Sequence, residues 1–264
     1  MKSYNTTKEL LLNTTIPQET RTYKPITHQQ LIDITMESIE QSGFVLDKEL
    51  YTCCDNGMVA TGRYTIKNVA DTEMQLEFGW QNSYNKKVSL KVALGTRIMI
   101  CQNGCVSGDY GAFRKKHMGE VQSFTPAAIT EYIKQAGEAF TRIQGERDQM
   151  KNIQVSKRQA AEIVGRMFIE EQIIESTQIN IISRELQAPT YNYNADPESL
   201  WALYQHTTYA MKEVHPTMWM KKHIDVHSFF VNEAGILVNT LNKEITIEEE
   251  SPFVQLQLFE NELG

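Results

Sequence analysis

An α+β fold is expected from three observations. A capped amphipathic helix precedes a long stretch of strand-type alternation, that stretch holds hairpin-turn signals, and helical periodicity returns after it. The expected architecture is an N-terminal helix, an antiparallel β-meander over 44–116, and a helical region packed on one face of the sheet. The 264 residues, 41% hydrophobic and 22% charged, carry enough apolar material for a core. They exclude a disordered, collagen-like or disulfide-stapled chain.

Residues 1–25 are rich in Thr and Asn without periodicity and read as an extended arm ahead of an α+β core over 26–232. The first helix starts at Thr27, which forms a capping box with Gln30, and Ile26 with Leu31 makes the hydrophobic staple outside it. Leu31, Ile32, Met36 and Ile39 continue the apolar stripe, and Ser42-Gly43 ends it. From Phe44 the residues turn β-branched and aromatic, broken by Asp55-Asn56-Gly57, a hairpin signal. Met74, Leu76, Phe78 and Trp80 alternate on one strand face. Asn82 to Asn85 reads as a turn, Lys86 to Cys101 as a strand or strand pair, and Gln102-Asn103-Gly104 as another turn.

Helices are expected to resume at Thr125-Pro126, an N-cap followed by proline. Ile129, Ile133, Ala136, Phe140 and Ile143 form the buried stripe of that helix. Ser156 and Gln159 make a second capping box, and Asp196-Pro197 opens a helix over 198–214, with Trp201, Tyr204 and Thr208 on one face. The end, 233–264, reads as short alternating runs followed by an acidic segment.

The net charge of −7 is unevenly spread. Residues 81–118 hold 7 Lys+Arg and a single acid, Asp109, whereas 233–264 holds 7 Glu and only Lys243. A basic stretch inside an acidic chain points to a polyanion as partner. No apolar run approaches the roughly 18 residues of a membrane span. Leu10 to Leu12 is too short for a signal peptide, so a cytoplasmic protein with four reduced cysteines is expected.

The chain has no phosphate-binding Gly-rich loop, nucleophile elbow or zincin motif, which removes most support for nucleotide hydrolysis, lipase-type hydrolysis and zincin chemistry. His223 and His227 share a helix face by spacing, and Cys101, Cys105 and His117 are near in sequence. Asp225 and His215 could add ligands to the first pair, but the partners at fixed spacing that mark a zinc site are lacking, so packed thiols and polar residues at helix ends are the expectation. Glu170, Glu171 and Glu175 read as a solvated face rather than a catalytic pair.

The strongest local candidate is Arg114-Lys115-Lys116 beside Tyr110 and Phe113, with Lys86, Lys87, Lys91 and Arg97 upstream and Trp80 and Tyr84 at the adjoining turn. Cations neutralise phosphates while aromatic rings stack on bases without sequence preference. A basic strand edge that resists aggregation is the plainer account. The acidic end, with Phe253, Leu256, Leu258 and Phe259, fits either a partner-docking segment or a terminal strand.

Ile98-Met-Ile-Cys-Gln-Asn-Gly104, followed by Phe113-Arg-Lys-Lys-His117, resembles the phage/plasmid-like protein family, a domain of unknown function of phages, prophages and plasmids. Leu200-Trp-Ala-Leu-Tyr204 fits as well, with Gln205 where the family pattern has Asn. The resemblance implies a mobile-element protein. By fold-level analogy it extends to phage single-strand annealing recombinases, which oligomerise and hold single-stranded DNA without a cofactor. The leading expectation is therefore a homo-oligomeric, single-stranded DNA-binding annealing factor. It would hold the backbone through Lys86, Lys87, Lys91, Arg97, Arg114, Lys115 and Lys116, and stack bases on Trp80, Tyr84, Tyr110 and Phe113. The alternatives are an anti-defence or virion-associated protein that meets a host or phage protein through its acidic end, and an enzyme using His117, His206, His223, His227 and the nearby thiols.

Overall fold

In the computed structural model, which describes residues 4–67, 71–98, 104–106, 113–115, 121–215 and 218–249, the N-terminal lead-in is docked rather than extended. Tyr4–Thr6 forms strand β1, and Lys8–Leu12 forms a short helix α1 capped by the Thr7 hydroxyl. Leu11 and Tyr23 are buried, and the Tyr23 hydroxyl donates to the Tyr84 carbonyl. The Thr- and Asn-rich composition that suggested an arm supplies caps and turns instead.

Helix α2, His28–Gln41, opens with the expected reciprocal capping box of Thr27 and Gln30. Gly43, at φ +73°, carries the chain out of the helix in a conformation that favours glycine. The meander follows as β2 (Leu46–Cys54), β3 (Val59–Ile66), β4 (Met74–Ser83), β5 (Leu90–Ile98), β6 (Gly104–Val106) and β7 (Phe113–Lys115). The sheet order is β1-β2-β3-β4-β5-β6, with β7 also paired to β5 and every pairing antiparallel. Asp55, Asn56 and Gly57 all have positive φ, as a tight β2–β3 turn demands.

Gly62 shows how closely the first sheet face is packed. Tyr51, Gly62, Trp80 and Val92 form one cross-strand row, and a Cβ on Gly62 would lie 2.5 Å from the Trp80 indole. The absent side chain makes the slot that the indole fills. Gly62→Ala is expected to destabilise the fold by about 1–3 kcal/mol through overpacking, read as a lower urea midpoint at unchanged m-value.

The helical region consists of α3 (Val121–Lys134), α4 (Ala136–Lys151), α5 (Lys157–Ile169), α6 (Ser176–Gln187), α7 (Leu200–Ala210) and α8 (Trp219–Glu249). Apolar residues of α2 to α8 join Tyr64, Phe78, Trp80 and Leu94 in one core. Three boundaries differ from the sequence expectation. The helix expected at Thr125 begins at Val121 and carries Pro126 inside it, where proline forfeits a hydrogen bond to the Gln122 carbonyl near the helix start. The stripe from Ile129 to Ile143 is shared by two helices that part at Gln135, though all five of its residues are buried. Ser199, not Asp196, caps α7, and a 3-10 turn at Met211–Glu213 follows it. Helix α6 and the length of α8 were not expected. The short alternating runs foreseen before the acidic end are one continuous helix to Glu249. Residues 250–264, with the question of a terminal strand, lie outside the described residues.

Candidate functional site

Strand parity decides which side chains share a surface, because successive residues point to opposite faces of a sheet. The apolar series Met74, Leu76, Phe78 and Trp80 takes the core face, so the residues between them take the second face. The ladder registers give its rows: Thr52, Thr61, Gln81 and Lys91; Leu50, Arg63, Gly79 and Ala93; Lys48, Thr65, Glu77 and Gly95; and Gln75 with Arg97. Arg114 pairs with Lys91 and extends the first of these rows.

The pairing thus sorts charge. Lys48, Arg63, Lys91, Arg97 and Arg114 hold second-face positions, against Glu77 on the same face. Asp47, beside the bulge in β2, reaches in from the margin to accept from the Gln75 amide at 3.4 Å. The centre of this face is small, with Gly79, Ala93 and Gly95 side by side. The first turns of α8 occupy that space. Met220 is buried against Ala93, and Trp219 and Ile224 pack around the pair. The Arg63 guanidinium lies 5.5 Å from the centre of the half-buried Trp219 ring and 3.9 Å from the Glu77 carboxylate.

Several residues singled out in the sequence are placed elsewhere. Trp80 is fully buried, its indole N–H donating to the Tyr64 hydroxyl at 3.1 Å. Tyr84 is buried too. Its ring stacks on His28 at 4.1 Å and its hydroxyl accepts from the His28 amide. Neither ring has a face left for a base, which corrects the stacking role expected of them. Lys86 and Lys87 sit on the β4–β5 turn, Lys86 over the Tyr23 ring at 4.4 Å and Lys87 paired with Asp55 at 2.8 Å. Lys91 is half-buried on the second face. Phe113 and Lys115 pair with Val92 and Leu90, core-face positions, so the run from Phe113 to Lys115 is divided between the two faces. Tyr110 and Lys116 lie outside the described residues.

Lys48, Arg63 and Trp219 were not anticipated. Parity could have found the first two once β2 and β3 were registered on β4. Nothing in the local sequence links Trp219 to a sheet more than a hundred residues earlier.

Three histidines of the enzymatic alternative, His206, His223 and His227, are interior groups. His227 Nε2 is 3.0 Å from Glu146 and its Nδ1 is 3.3 Å from the Tyr204 hydroxyl, while Arg142 donates to Glu146 at 2.8 Å. Burial pushes the Glu146 carboxyl up, but the hydrogen bonds from His227 and Arg142 outweigh it and hold it below the usual range. His206 is pushed down by burial, with Glu185 at 3.9 Å opposing. Glu185 also accepts from the Thr190 amide at 3.0 Å. His223 and His227 do share a face of α8, yet His223 lies against the Trp219 ring at 5.1 Å and His227 against Glu146. Cys53 and Cys54 are buried thiols. Among the described residues no three His, Cys, Asp or Glu side chains are gathered to hold a metal ion. These polar groups tie α4, α7 and α8 together. His117 lies outside the described residues.

A family model described as a domain of unknown function (DUF932) matches residues 18–228, a span holding β2 to β7 and the first turns of α8. No curated protein and no solved structure matches the chain. Among the described residues no helix is long and apolar enough to cross a membrane.

Proposed function

The chain belongs to the DUF932 family, a domain of unknown function, and from its own residues we propose that it binds single-stranded nucleic acid at the rim of the second sheet face, where Lys48 is exposed and Arg63 and Lys91 are half-buried around a buried centre. One observation carries the reading. In a chain of net charge −7, the ladder registers place Lys48, Arg63, Lys91, Arg97 and Arg114 at positions of that face, against Glu77 and the marginal Asp47. Cations held on a rigid sheet at strand spacing neutralise successive phosphates and release their counterions, which binds any backbone regardless of sequence. The finer proposal is a cofactor-independent annealing factor of a phage or plasmid. It would grip a strand by its phosphates and leave base edges open to a complement. The resemblance noted from the sequence supports the mobile-element origin.

The test is a salt titration of a labelled oligothymidylate against the wild type and the double variant Arg63→Gln/Lys91→Gln. Each lost phosphate contact lowers the salt slope by about 0.7 for a single strand. The variant is therefore expected to show a slope smaller by about 1.4 and roughly tenfold weaker binding at ~0.15 M salt. An unchanged slope and affinity in the variant, or no binding by the wild type at low salt, overturns the proposal. Faster pairing of complementary strands by the wild type checks the annealing step.

A further inference from the structure

We infer that Trp219 is the base-stacking residue of the second sheet face, a step that rests on the nucleic-acid reading and deepens it to the recognition of unpaired bases. A non-specific single-strand site needs two kinds of group, cations for phosphates and an aromatic ring for bases. The cations come from the sheet. Of the four aromatic residues first expected to serve, Trp80 and Tyr84 are sealed in the core, Phe113 pairs at a core-face position, and Tyr110 lies outside the described residues.

Trp219 meets the requirements they fail. Of the three tryptophans, Trp80 and Trp201 are 0% and 3% exposed, whereas Trp219 is only half-buried. It is the first residue of α8, and its neighbour Met220, seated on Ala93, fixes it over the sheet. The ring lies 5.5 Å from Arg63, a second-face cation whose side chain is 26% exposed and whose carboxylate neighbour is as far as 3.9 Å. The Arg63 guanidinium lies over one face of the indole and the His223 ring is tilted against it at 5.1 Å, so a base would stack where the guanidinium, held by Glu77 only at 3.9 Å, swings off the ring onto a phosphate. A base in a duplex is already stacked on its neighbours, so such a pair favours single strands.

The competing account is a purely structural one, in which the Arg63–Trp219 contact pins α8 to the sheet. The two accounts separate with Trp219→Ala, Trp219→Phe and an abasic oligonucleotide of the same length as the oligothymidylate. Stacking predicts that Trp219→Ala binds oligothymidylate about tenfold more weakly at an unchanged salt slope, because no phosphate contact is lost. Trp219→Phe should retain most of the affinity. The abasic strand should bind wild type and Trp219→Ala alike. Wild-type tryptophan emission should be quenched by oligothymidylate, and Trp219→Phe should lose that quenching. Equal oligothymidylate affinity of wild type and folded Trp219→Ala overturns the inference and leaves the nucleic-acid reading standing, as does quenching that persists in Trp219→Phe. A wild type that binds neither strand overturns both. If Trp219→Ala does not fold, Trp219→Phe and the quenching still decide.

Discussion

Trp80→Ala is expected to cost about 3–5 kcal/mol of folding stability, a large part of what a single domain possesses. The indole is fully buried in the slot left by Gly62, at 6.4 Å from the Tyr51 ring and 6.1 Å from the His28 ring. It donates to Tyr64, whose hydroxyl also meets that of Tyr51 at 3.2 Å. Alanine would leave a cavity that rows on rigid strands cannot close, and a buried hydroxyl short of one partner. The measurement is a urea unfolding curve. Trp80→Phe should lose less, because it keeps most of the volume. Nucleic-acid affinity of the folded variant should stay at the wild-type value, since this ring is remote from solvent. A stable Trp80→Ala with reduced affinity would instead restore the ligand-stacking role and contradict the packing account.

The second large effect is expected at Asp71. One carboxylate oxygen accepts from the Glu73 and Met74 amides at 2.8 and 2.9 Å. The other accepts from Gln144 at 2.6 Å and Arg147 at 2.7 Å, so a single side chain ties the entry of β4 to α4. Burial raises the carboxyl, but the bonds from Gln144, the two amides and Arg147 outweigh it and hold the pKa down at about 2. Asp71→Ala leaves two amides without their acceptor and takes one partner from a mostly buried guanidinium that keeps Asp148 at 2.8 Å, and is expected to cost about 2–3 kcal/mol.

The same bonds set a pH dependence. A carboxyl whose folded pKa lies below its unfolded value adds stability that is fully present above the unfolded pKa. That stability is lost as pH falls through the folded pKa. Between about pH 4 and pH 2 the wild type should lose about 2 kcal/mol through Asp71, from a shift between the ordinary 3.8 and about 2. Asp71→Asn should be less stable than the wild type at pH 6 and should close most of that gap by pH 2. A gap that stays constant from pH 6 to pH 2 would sink the assignment.

What was legible in the sequence was local. The capping boxes at Thr27 and Ser156 formed as read, because each is made by residues three apart. The Asp55-Asn56-Gly57 turn also formed as read, its positive φ angles being cheap only for such residues. Alternation from Met74 to Trp80 correctly identified a strand with one apolar face. Its local character also explains the failures. Pro126 looked like a helix start because proline is best tolerated there, yet a helix that is buried along Ile129 and Ile133 can absorb one missing hydrogen bond.

The surface was harder to read than the elements. Trp80 and Tyr84 lie beside a basic run in the sequence, and proximity along the chain made them look like part of it. Whether an aromatic ring faces a ligand or a core depends on which strands flank it, and that is set by pairings such as Gly62 with Trp80. By itself the sequence determined the α+β class, the capped helices, the turns and the excess of cations over 81–118. Only the tertiary structure decided that Arg63 and Lys48 share a face with Lys91, that Lys115 takes the other one, and that Trp219 returns from afar to cover Arg63. The physical reason is that caps and turns are short-range bonds, whereas a sheet face is a product of register. A one-residue slip moves every side chain of a strand to the opposite side.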